Sequence, residues 1–137
     1  MWSPRHTQVV SELITQLPAE AMEPARSRAA RLGALPIGWD MGADYYLRPS
    51  GDVVIVSAFL DEPETDILIT DPRRVLSVLA WGTERYPELK ELLPTRGPDA
   101  SDCECLKIEL FQTRKAICPE CCGLGWVPAD HQYTFFS

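Results

Sequence analysis

The sequence predicts an α+β fold, a small antiparallel sheet with flanking helices and a cysteine-rich knuckle towards the C-terminal end. Three features carry this reading. Apolar residues recur at helical spacing over residues 7–17 and again after Asp71, and two short apolar runs within residues 45–59 flank the turn Pro49-Ser50-Gly51-Asp52. All five cysteines fall between Cys103 and Cys122. A chain of 137 residues supports one core of ordinary size but not two. The expected organisation is an α+β body over residues 1–98 with a knuckle module, residues 99–137, packed on it as one compact unit.

Along the chain, Val9, Val10, Leu13, Ile14 and Leu17 share one helical face, and Pro18 ends that helix. A second short helix is expected over residues 24–32, with Pro24 in its first turn, Gly33 as its left-handed cap, and Arg26, Arg28 and Arg31 on or near its exposed side. Residues 45–48 and 53–59 read as a hairpin, and residues 67–70 as a third strand completing a meander. Between them, Asp61, Glu62, Glu64 and Asp66 surround Pro63 in a segment too acidic for a core strand, so it is expected to be an exposed loop. Asp71-Pro72 has the form of a helix start, and Val75, Leu76, Leu79 and Tyr86 form the apolar stripe that follows. Pro87 interrupts it, residues 88–93 allow one or two more turns, and residues 94–102 read as a linker. Trp39 and Trp81 are both expected in the core.

Cys103 and Cys105 are separated by one residue, Cys118 and Cys121 by two, and twelve residues lie between the pairs. Two short-spaced thiol pairs joined by a loop suit a tetrahedral soft-metal site, and the spacing is close to that of a zinc ribbon. One structural zinc ion held by Cys103, Cys105, Cys118 and Cys121 is therefore expected, with residues 106–111 as the outgoing strand of the ribbon and residues 113–117 as its return. Cys122, adjacent to Cys121, reads as a packed thiol. Cys103 has the less usual spacing, and Cys122, Asp102 or His131 are the alternatives to it as a ligand. The run Cys118-Pro119-Glu120-Cys121-Cys122-Gly123-Leu124-Gly125 resembles the Cys-x-x-Cys-x-Gly-x-Gly zinc repeat of DnaJ-type co-chaperones over its eight residues. The resemblance implies that Cys118 and Cys121 are both ligands and that the glycines let backbone N–H groups turn towards the sulfurs. That family carries four such repeats where this chain has one, so chaperone activity is not implied.

Composition narrows the function classes. Thirteen Lys and Arg against 20 Asp and Glu give a net charge of −7, which disfavours nucleic acid and favours a basic protein partner. No apolar run approaches the length of a membrane span and no export signal is visible, so a cytoplasmic setting is expected, in keeping with clustered cysteines in a reducing compartment. His6 and His131 belong to no catalytic motif and are expected to be solvated, and no phosphate-binding loop or nucleophile elbow is present. A non-enzymatic, protein-binding role follows, with Asp61, Glu62, Glu64, Asp66, Asp40 and Asp44 as the candidate partner surface.

The order of elements over residues 7–93, with the hairpin Leu47-Arg48-Pro49-Ser50-Gly51-Asp52-Val53-Val54, resembles in layout the SUKH-type bacterial immunity proteins. The resemblance implies toxin neutralisation, with the acidic surface plugging a basic toxin domain. The rival expectation is a zinc-ribbon nucleic-acid module in which Lys107, Arg114 and Lys115 contact phosphates.

Overall fold

The computed structural model describes residues 2–17, 31–40, 42–57, 66–107, 118 and 120–133. It is an α+β structure in which a four-stranded antiparallel sheet packs against two helices and leads into a cysteine cluster. Helix α1, Pro4–Thr15, begins three residues earlier than its apolar period requires. Its start is set by a capping box. The Ser3 hydroxyl accepts from the His6 N–H and the Ser3 N–H donates to His6 Nδ1 at 3.2 Å, leaving Pro4 where no N–H is needed. Val9, Val10 and Leu13 are the buried face of α1, with Ile14 and Leu17 half-buried beside them. Arg31 and Leu32 are helical and Gly33 follows at φ 61; the remainder of the helix expected over residues 24–32 lies outside the described residues.

The sheet runs in chain order as β1 (Leu35–Asp40), β2 (Ala43–Leu47), β3 (Val53–Ser57) and β4 (Ile67–Ile69). The expected hairpin is β2–β3, in register from Ala43↔Ser57 to Leu47↔Val53. Strand β1 was not foreseen, because Pro36 and Gly38 both read against a strand interior. Two facts resolve the conflict. Among the described residues β1 pairs only with β2 and is an edge, where a missing proline N–H is tolerated, and its pairing shifts by one residue between Pro36 and Gly38. Gly38 is also fixed by packing: a Cβ there would lie 2.6 Å from Trp81 Cζ2, so only glycine lets the indole lie against the strand.

Helix α2, Pro72–Gly82, starts as expected from the Asp71 cap, whose side chain accepts from the Arg73 N–H at 3.3 Å. A 3-10 helix, Pro87–Leu92, follows the break at Pro87 and buries Leu89 and Leu92. One face of the sheet, with Leu35, Ile37, Leu47, Val53, Ile55 and Ile69, packs against Val9, Val10 and Leu13 of α1 and Val75, Val78 and Leu79 of α2. Each such fully buried aliphatic side chain contributes roughly 1.5–3 kcal/mol. The other face carries a smaller cluster of Tyr46, Val54 and Val56 with Ala34. Trp81 packs against the main core and meets Tyr45 edge-on at 5.2 Å. Trp39 does not: it is 60% exposed, contrary to expectation. After the register shift Trp39 pairs with Asp44, while Gly38 pairs with Tyr45 and shares its face with Trp81. No helix of the described residues is long and apolar enough to cross a membrane.

Candidate metal centre

Beyond the exposed residues 94–99, the chain forms a two-residue strand, β5 (Ser101–Asp102), antiparallel to β6 (Trp126–Val127). The ladder continues one step inward, where the Cys103 N–H donates to the Gly125 carbonyl at 3.0 Å. Backbone pairing thus brings the two ends of the cysteine segment together. Cys105 sits in a single 3-10 turn, Glu104–Lys107, so the outgoing strand expected from residue 106 does not begin there. The rest of the expected ribbon hairpin lies outside the described residues, with Arg114 and Lys115.

Cys103, Cys105, Cys118 and Cys121 are all buried, and their Sγ atoms lie within 4.8 Å of one another. Cys103 Sγ is 3.7 Å from Cys118 Sγ, and Cys105 Sγ is 3.6 Å from Cys121 Sγ. These separations are far beyond a disulfide bond of about 2.05 Å. They match the ~3.8 Å edge of a tetrahedron of sulfurs each ~2.3 Å from a central ion. The four thiols are placed to hold one metal ion. The alternatives to Cys103 are turned elsewhere: Asp102 is exposed and pairs with Arg96 at 2.9 Å, and His131 Nε2 meets Glu120 Oε1 at 3.0 Å. Cys122 is buried beside the Arg73 guanidinium of α2, and their proximity raises the arginine above its ordinary pKa.

The Cys118–Gly125 run turns through a left-handed path. Cys122, Gly123 and Gly125 take φ values of 55, 86 and 85, a left-handed path that glycine adopts without a Cβ penalty. Along it the N–H groups of Gly125 and Gly123 point at Cys121 Sγ. Burial raises the Cys121 thiol, but these donors, with the Cys105 and Cys118 thiols, outweigh it and hold the group below its ordinary pKa. The first pair lacks that support. Burial pushes Cys103 up to about 11, against a smaller opposing effect from the Cys105 N–H, and raises Cys105 further. Without a cation, Cys103 and Cys105 are therefore protonated at neutral pH, and a metal ion must displace their protons to bind.

A second layer surrounds the thiols. Glu120, only 4% exposed, bonds His131 through its side chain, and its carbonyl accepts from Arg73 Nη2 at 3.0 Å. His131 meets the Tyr133 ring edge-on at 4.8 Å, the Tyr133 hydroxyl accepts from the Glu104 N–H at 3.2 Å, and Val127 and Tyr133 pack on the cluster. His131 is thus a half-buried part of the module rather than a solvated residue. Nothing in its sequence neighbourhood signals the pairing with Glu120 except the charge types themselves.

Among the candidate partner residues, Asp61, Glu62 and Glu64 lie outside the described residues. Asp66 is half-buried and faces Arg31 at 3.9 Å. Asp44 lies on β2 opposite Trp39 and Val56, and Asp40 ends β1 opposite Ala43. No protein-family model, curated protein or solved structure matches the chain.

Proposed function

We propose that this chain is a non-enzymatic, protein-binding domain whose C-terminal module is held by one structural zinc ion, with an acidic surface that receives a basic protein partner. The observation that carries the reading is the set of four buried thiols whose sulfurs all lie within 4.8 Å of one another. Four thiolates fill the coordination shell of zinc and leave no position for water or substrate, which is the arrangement of structural sites. The net charge of −7 favours a basic partner through steering and complementarity. Asp61, Glu62, Glu64, Asp66, Asp40 and Asp44 are the acids assigned to that surface in this reading, and Asp66 also faces Arg31 at 3.9 Å. Toxin neutralisation is the narrower form of this reading, in which those acids fill a basic cleft.

Elemental analysis of the purified protein, with thiol titration before and after denaturation, tests the zinc. One zinc per chain and four masked thiols are expected; iron, or no metal and freely titrated thiols, removes it. The double substitution Cys118→Ser/Cys121→Ser should release the metal and lower the melting temperature, because binding energy at such a site is folding energy. An unchanged melting temperature refutes the structural role. For the partner, neutralising Asp61, Glu62, Glu64 and Asp66 together should weaken capture of an identified basic protein without altering the fold, and undiminished capture refutes the acidic surface.

A further inference from the structure

Among the described residues Glu120 holds the only buried carboxylate. Taking such a group out of water is costly unless specific partners hold it, and Glu120 is held at two points. Its carboxylate meets His131 Nε2 at 3.0 Å, and its carbonyl accepts from Arg73 Nη2 at 3.0 Å. Glu120 lies between the thiols Cys118 and Cys121 in the chain. Its carbonyl shares one rigid peptide plane with the Cys121 nitrogen, so fixing the carbonyl orients the Cys121 Cα and the side chain it carries. Arg73 is itself anchored. It stands in the first turn of α2, whose Val75, Val78 and Leu79 are in the core, its N–H donates to the Asp71 carboxylate, and its carbonyl accepts from the Ser77 hydroxyl at 3.2 Å.

The same chain of contacts reaches the other thiol pair. His131 is tied to the end of β6 by its N–H, which donates to the Pro128 carbonyl at 3.0 Å, and its ring meets Tyr133 edge-on at 4.8 Å. The Tyr133 hydroxyl accepts from the N–H of Glu104, the single residue between Cys103 and Cys105, at 3.2 Å. That N–H lies in the peptide plane of the Cys103 carbonyl, so Cys103 is gripped as Cys121 is. From these contacts we infer that Glu120, His131 and Tyr133 form a brace, seated on the body through Arg73, that positions one thiol of each pair for the metal ion. The inference rests on the metal-site reading above and adds residues that act on the ligands from outside. With the brace in place, less of the binding energy is spent on ordering the two turns. Contacts of this kind around a metal site typically change its affinity 10–100-fold.

The test measures zinc affinity of the full chain by competition against a chromophoric chelator, with the cobalt(II)-substituted spectrum reporting how many thiolates are bound. His131→Ala cuts the brace at its middle and should lower affinity about tenfold with four thiolates still coordinated. Tyr133→Phe removes only the hydroxyl and should cost about fivefold. Combining the two should cost less than the product of the single effects, because both cut one brace. Arg73→Ala should weaken binding about tenfold, and Arg73→Lys, which still offers a donor, should restore most of it. Should His131→Ala fail to fold, Tyr133→Phe and the exposed Arg73 position carry the test. Affinities of the variants within twofold of wild type overturn the proposal, as does a double variant that loses the full product of the single effects. Melting temperatures that fall equally with and without zinc, at unchanged affinity, also overturn it, since they reduce these contacts to docking of the module. If the wild type binds no metal, the metal-site reading fails and the brace with it; if wild type and variants bind zinc equally, only the brace fails.

Discussion

Gly125→Val isolates the backbone requirement of the metal centre. A Cβ at Gly125 has no atom within 4 Å, so the substitution creates no clash. Its effect comes from φ +85, which a β-branched residue reaches only with strain. Such a residue costs about 2 kcal/mol or more. The strain is relieved only by turning the peptide, and that takes the Gly125 N–H away from Cys121 Sγ and the Gly125 carbonyl away from the Cys103 N–H. If the metal-bound form carries this strain in full, 2 kcal/mol is roughly a thirtyfold loss of affinity. That lies within the 10–100-fold range, about what loss of an outer hydrogen bond typically causes at a metal site. Competition against a chromophoric chelator at neutral pH measures it directly. Gly97→Val is the control, because Gly97 is exposed with open space around it and a φ that any residue adopts. An affinity for Gly125→Val within threefold of wild type would refute the reasoning and reduce the match to the zinc repeat to coincidence of spelling.

Two further outcomes can be measured independently. In the metal-free protein the contribution of Cys103 to stability should be fully present below pH 9 and be lost as pH rises towards about 11, because burial raises its thiol from 9.0 and the folded state therefore holds its proton more tightly than the unfolded chain, while the lowered Cys121 thiol acts in the opposite sense. Metal affinity should run the opposite way and increase with pH, since binding displaces the Cys103 and Cys105 protons; urea melts of both forms from pH 7 to 11 show whether the two slopes differ in sign. Gly38→Ala should destabilise the fold by about 1–3 kcal/mol, because its Cβ would meet the Trp81 ring at 2.6 Å and the indole is already confined by Tyr45. An unchanged urea midpoint would show that Trp81 moves freely.

How much of this was legible in the sequence depends on what each residue reports. Asp71-Pro72, the 3.6 spacing of Val75 and Leu79 and the turn at Pro49–Asp52 state local preferences that the tertiary structure leaves intact. β1 was hidden because Pro36 and Gly38 are read locally as breakers, whereas their reasons are non-local: a place at the edge of the described sheet for the proline and the Trp81 ring for the glycine. The exchange of roles between the two tryptophans has the same origin, since a one-residue register shift decides which face a side chain meets. At the cysteines the identity of the four thiols was readable from type and clustering. Cys103, whose one-residue spacing made it the weakest candidate, is placed by β5–β6 pairing, which spacing alone does not reveal. The Glu120–His131 contact joins residues eleven apart across a turn whose glycines were legible but whose left-handed Cys122 and overall path were not.

That short β5–β6 ladder has a consequence for how this module can change over time. Its hydrogen bonds set Cys103 against the Gly125 turn from outside the segment, whatever the length of chain between Cys105 and Cys118. For a flexible connection, doubling the length adds only ~0.6 kcal/mol of closure entropy. Insertions and sequence drift between Cys105 and Cys118 should therefore be tolerated, while Asp102, Cys103, Gly125 and Trp126 hold their relation. Kinship among such modules would then be recorded in the strand clamp and the glycine turn, and a search keyed to the distance between cysteine pairs would pass over true relatives.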